Sequence, residues 1–200
     1  MNTPKWIFWA GLAAIIGGLL MLVKGAAILL TGFQPPYLFE ISPLFLGTGL
    51  CGLYFCLAAV DRGHLAKAGV IMAAAAAVSA PVYLWADLFV PHLIPQEDTT
   101  TIITPFVALS GLGPMVSALL LGIVVWRTKT IPSSWLPLAI PLTFVALMVL
   151  AILLENVVGE TSTAERLIEI PIVITGLAWI GFGWSIHHST RGRLPGKIRK

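Results

Sequence analysis

The chain reads as six long apolar runs separated by short polar segments, at 6–30, 43–60, 66–90, 105–126, 135–154 and 168–186. Each is close to the roughly twenty residues that a helix rising ~1.5 Å per residue needs to cross ~30 Å of hydrocarbon. The pattern therefore predicts an all-α protein, a bundle of six transmembrane helices forming one domain over residues 1–186, with a basic tail at 187–200. Local signals punctuate the runs. Thr3-Pro4, Ser42-Pro43 and Thr104-Pro105 each place a capping residue before a proline, a helix-start signature. Thr31-Gly32 followed by Gln34-Pro35-Pro36 ends the first run, Asp61-Arg62-Gly63-His64 turns the second into the third, and Arg127-Thr128-Lys129 ends the fourth. Between the fifth and sixth runs, Ser162-Thr163-Ala164-Glu165 has capping-box spacing and predicts a short interfacial helix ahead of Pro171.

Composition agrees with the pattern. The 200 residues are 58% hydrophobic and 10% charged, and the mean hydropathy is +0.93. A soluble domain is usually about a quarter charged, so a soluble reading is excluded, and little chain remains for a separate aqueous domain.

The distribution of charge predicts an orientation. Of 12 Lys and Arg residues, ten lie on one side of the predicted membrane: Lys5, Arg62, Lys67, Arg127, Lys129 and the five in the tail. Eight of the nine Asp and Glu residues lie on or near the other side. The positive-inside rule then puts both termini in the cytoplasm, in a bacterial-type plasma membrane. Trp6, Trp9, Trp126, Trp135 and Trp184 fall near the inner ends of spans and Trp85 near an outer end, where amphipathic rings sit at headgroup level. The net charge of +3 marks orientation and anionic lipid, so the bilayer is the expected partner and nucleic acid is not. Span 1 is longer than a signal-peptide core and lacks a cleavage site, and is read as retained.

Ionisable residues within spans are the candidate functional positions. Lys24 lies eighteen residues beyond Trp6, about 27 Å at helical rise, deep in the outer half of span 1. It shares a face with Trp6, Ala10, Ala13, Gly17 and Leu20. Asp87 in span 3 stands eighteen residues beyond Gly69, above Ala73, Ala76, Ala80 and Tyr83. Equal heights predict a Lys24–Asp87 ion pair between spans 1 and 3. Glu40 and Glu155 would join Asp87 at the outer rim as an acidic vestibule for cations or cationic solutes. Glu97, Asp98, Glu160, Glu165 and Glu169 read as solvated loop charges.

Other patterns fail on context. Gly47-Thr48-Gly49-Leu50-Cys51-Gly52 matches a dinucleotide fingerprint, yet it lies inside an apolar span with no strand before it. The four histidines form no facing pair for an intramembrane haem, and no HExxH, GxSxG, CxxC or P-loop is present. No catalytic residue, metal or other cofactor is expected. Cys51 and Cys56 lie about 140° apart on a helix, unsuited to a disulfide within it. Thr48-Gly49-Leu50, Ser110-Gly111-Leu112 and Thr175-Gly176-Leu177 recur 62 and 65 residues apart, a weak echo of three hairpin units.

In size, six spans and inward termini the chain resembles the substrate-binding subunits of energy-coupling-factor vitamin transporters, whose first helix docks a partner through small residues four apart. Ala10, Ala14 and Gly18 have that spacing. The resemblance implies a docking face on span 1 and stops short of a vitamin-site signature. Two function classes follow: a non-enzymatic helical module or complex subunit, meeting a membrane partner or a second copy through Gly/Ala faces and held by a structural polar pair, and a solute- or cation-handling protein with an acidic outward pocket. A membrane-embedded enzyme using Asp87 or Glu155 ranks last, because no second convergent group accompanies either.

Overall fold

The computed structural model describes residues 5–57, 63–95, 100–131, 133–158, 166 and 169–191, without the side chains of 5, 155–158 and 189–191. Six helices emerge: α1 Lys5–Thr31, α2 Leu38–Leu57, α3 His64–Phe89, α4 Thr104–Thr128, α5 Leu136–Val158 and α6 Glu169–Arg191, with a 3-10 turn at Pro91–Leu93. All six contain segments long and apolar enough to cross a membrane. Among the described residues no strand occurs. Helices satisfy their own backbone polar groups, which is what a hydrocarbon environment demands.

The ends are set by local chemistry. α1 stops where Gly32 takes the left-handed φ of 72° that glycine adopts without strain, its N–H returning to the Ile28 carbonyl at 2.9 Å. α4 stops at Lys129, also left-handed at φ 52°, with its ammonium 5.3 Å from the centre of the Trp126 ring. α2 begins earlier than Ser42-Pro43 predicts. The turn occurs at Tyr37, with φ 64°, and Pro43 lies inside the helix. Ser42 does not cap; its hydroxyl donates across the bundle to the Gly17 carbonyl of α1 at 3.0 Å. The capping-box residues 162–165 of the predicted interfacial helix lie outside the described residues.

Each helix packs against the next in the chain, α6 closes back on α1, and α2 also meets α4 across the middle. Among the described residues α5 touches only α4 and α6, and it is the least buried of the six. Lipid is as apolar as the side chains facing it, so association depends on close packing and on hydrogen bonds between helices. The tightest seam joins α1 to α6. Gly11 faces Gly183, Gly18 faces Gly176 and Gly25 faces Glu169, with seven residues between successive positions on each helix. The numbers of each facing pair add to the same total, as an antiparallel register requires. A Cβ on Gly18 would stand 2.6 Å from the Gly176 carbonyl oxygen, and one on Gly183 2.5 Å from that of Gly11, so nothing larger than hydrogen fits.

Small residues serve the other seams as well. The predicted stripe of Gly69, Ala73, Ala76 and Ala80 is the buried face of α3, and Ser117 of α4 donates to the Gly69 carbonyl at 2.8 Å. Ala10 and Ala14 meet Gly52 and Gly49 of α2, while Gly18 meets α6. The four-residue stripe that resembles a docking face is thus engaged inside this chain. The three Gly-Leu echoes do not share a packing role either: Gly49 and Gly176 sit in tight seams, whereas Gly111 has open space around it.

Candidate functional site

Lys24 is buried near the end of α1, where its side chain retains 10% of its accessible surface. Its carboxylate partner is Glu169, the first residue of α6, whose Oε1 lies 3.8 Å from the ammonium and whose side chain is 14% exposed. The ammonium also lies 4.8 Å from the centre of the Phe39 ring of α2, within cation–π range. Glu169 Oε2 is buried without a hydrogen-bond partner. The first turn of α6 suits a carboxylate, because the helix dipole is positive there. Nearby, Arg166 brings its guanidinium over Gly32 at the negative end of α1, where an added Cβ would stand 2.9 Å from it.

Asp87 is therefore not the partner of Lys24. Among the described residues α1 and α3 make no contact with each other, because α2 stands between them. Helical rise constrains height along a bundle and leaves position around it open. Glu169, read from sequence as a solvated loop charge, is the group the argument missed. The signal was present in the glycines. Pairing Gly11 with Gly183 and Gly18 with Gly176 in antiparallel register brings Gly25 to Glu169, beside Lys24.

The remaining candidates divide. Glu40, in the first turn of α2, and Asp87, in the last turn of α3, are both half-buried and both lie within electrostatic reach of Tyr83. On α2 the Phe39 ring meets the Lys24 ammonium, and Glu40 is the next residue in sequence. Glu155 lies on α5, and its side chain is outside the described residues. The Glu155 part of the expected vestibule therefore lies outside the described side chains. Among the described residues no group of three or more His, Cys, Asp or Glu side chains is placed to hold a metal ion.

The geometry defines an all-helical bundle whose six apolar helices are compatible with an integral membrane protein, with a buried cation tied to a carboxylate at one end of its closest helix seam. Comparison with protein-family models, curated proteins and solved structures finds no match to the chain.

Proposed function

We propose that the protein is a non-enzymatic membrane module whose Lys24–Glu169 pair is a structural clamp. The observation that carries this reading is that the two charges close on one another at the end of the glycine seam, with the Phe39 ring covering the ammonium. A pair so placed fixes the register of α1 against α6, because sliding either helix by one turn separates the charges by ~5.4 Å. Charge-removal variants at the two positions test it: single variants lose stability and an apolar double variant recovers it. A double variant as unstable as the two single losses combined would overturn the clamp.

Lys and Arg at 5, 62, 67, 127 and 129 and in the tail support an orientation with both termini in the cytoplasm. Single cysteines introduced at 2 and 198 in a chain lacking Cys51 and Cys56 are expected to react with a membrane-impermeant maleimide only after the cells are opened. Labelling in intact cells would reverse the orientation.

A second reading, a cation-binding position at the acidic end, is supported by the shared reach of Glu40 and Asp87 to Tyr83. It predicts that millimolar Ca²⁺ raises the thermal midpoint of the parent and that Asp87→Asn or Glu40→Gln removes the increment while leaving the calcium-free midpoint in place. An unchanged parent midpoint across that titration rejects calcium as the ligand.

A further inference from the structure

The loosest seam of the bundle holds an unsatisfied buried donor. Between α5 and α6 lies a cavity of about 190 Å³, walled by Ala139 and Ile140 on one side and Ile174 and Ala178 on the other, with Trp135 at its rim. It exceeds the ~150 Å³ apolar cavity that suffices for benzene. No charged residue lines it. Thr143 of α5 and Thr175 of α6 both line it, and the Thr175 hydroxyl is buried without a hydrogen-bond partner.

Three helical threonines elsewhere in the chain satisfy their hydroxyls within their own helix. Thr31, Thr48 and Thr128 each donate to the carbonyl four residues back, at 2.7, 2.7 and 2.9 Å, the usual way a threonine satisfies itself in an apolar helix. Thr175 makes no such bond. One turn further along the same face, the Trp179 indole N–H is also buried and unpartnered. An indole N–H can only donate and a hydroxyl can donate, so both groups suit an acceptor oxygen. Trp135 is 60% exposed and Ile174 38%, so the lining reaches the outer surface of the bundle, the side that faces lipid if the helices span a membrane.

We propose that the α5–α6 cavity is a binding site for a neutral, membrane-soluble molecule with a ring-sized apolar body and one acceptor oxygen, received by the Thr175 hydroxyl. The site lies in a different seam from the Lys24–Glu169 clamp and does not depend on it. The probe is 4-fluoroacetophenone, followed by fluorine NMR with the full chain in lipid nanodiscs, against 1-fluoro-4-isopropylbenzene, which has a similar shape and no acceptor. The ketone is expected to bind saturably at one site per chain and roughly fivefold or more tighter than the hydrocarbon, the worth of about one net hydrogen bond. Thr175→Val should abolish that preference while leaving the hydrocarbon unchanged. Ala139→Leu and Ala178→Leu, filling the cavity from opposite walls, should each remove saturable binding of both probes. Partition into lipid without saturation, or equal affinity of the two probes for the parent chain, would overturn the proposal, and neither measurement requires a variant to fold.

Discussion

Gly18→Val is expected to lower the thermal midpoint by roughly 6–12 °C, whereas Gly111→Val is expected to be close to neutral. Both glycines lie inside helices that return toward or start from the same end of the bundle, and both substitutions add the same side chain. What differs is the neighbour. A Cβ on Gly18 meets the Gly176 carbonyl oxygen at 2.6 Å, the Ile180 backbone nitrogen at 2.9 Å and the Trp179 Cβ at 2.9 Å, none of which a rotamer change can move. A Cβ on Gly111 meets nothing within 4 Å. Relief at Gly18 requires α1 and α6 to separate along a seam that continues through Gly11 and Gly25, so the helices lose their packing together. Overpacking costs typically 1–3 kcal/mol where side chains can yield, and about 3 kcal/mol or more is expected where the obstruction is backbone. At ~2–4 °C per kcal/mol for a chain of this size, the midpoint should fall by roughly 6–12 °C. Thermal unfolding in a mild detergent, with size-exclusion profiles of both variants, makes the comparison. Equal midpoints for Gly18→Val and Gly111→Val would show that the seam is not closed as described.

The same seam explains what could be read from the residues and what could not. Span number and position were legible because a helix in hydrocarbon must be long and apolar whatever it packs against, and the runs ending at Thr31-Gly32 and Arg127-Thr128-Lys129 stop within a few residues of the helices observed. The start of α2 was not, because Ser42-Pro43 has the same local form as a cap, while the Ser42 hydroxyl is committed to Gly17 on another helix. Local patterns carry no record of a partner 25 residues away. The buried stripes under Lys24 and Asp87 were legible, since small residues at helical spacing mark close approach. Which helix approaches was not. Rise per residue fixes height along the bundle, whereas the angular order of helices is fixed by which pairs pack, here a ring in which chain neighbours touch and α6 returns to α1. Only the matched seven-residue glycine spacings in spans 1 and 6 encoded that closure. The unsatisfied Thr175 hydroxyl was beyond sequence reading altogether, because a threonine in a span ordinarily bonds to its own helix.

Lys24→Met is expected to destabilise the protein more than Glu169→Gln, and Lys24→Met/Glu169→Met less than Lys24→Met alone. Removing the ammonium strands a carboxylate whose Oε2 already lacks a hydrogen bond, and breaking a buried pair from one side costs about 3–5 kcal/mol. Removing the carboxylate's charge instead leaves Lys24 over the Phe39 ring at 4.8 Å, a contact worth about 0.5–2 kcal/mol, and glutamine keeps an acceptor in place. The double variant replaces both charges with apolar groups of similar length at side chains only 10% and 14% exposed, so the desolvation cost disappears together with the attraction and the midpoint should return to within about 1 kcal/mol of the parent. A binding or activity readout on the double variant distinguishes a clamp from a site that needs its charges. If the pair served a bound ion or solute, the apolar double variant would fold equally well yet lose binding; if it only sets register, any activity later assigned to the chain survives the replacement. Midpoints of the parent, both single variants and the double variant, measured under one detergent condition, close the cycle. Additive losses in the double variant would mean that Lys24 and Glu169 do not compensate one another across the 3.8 Å that separates them.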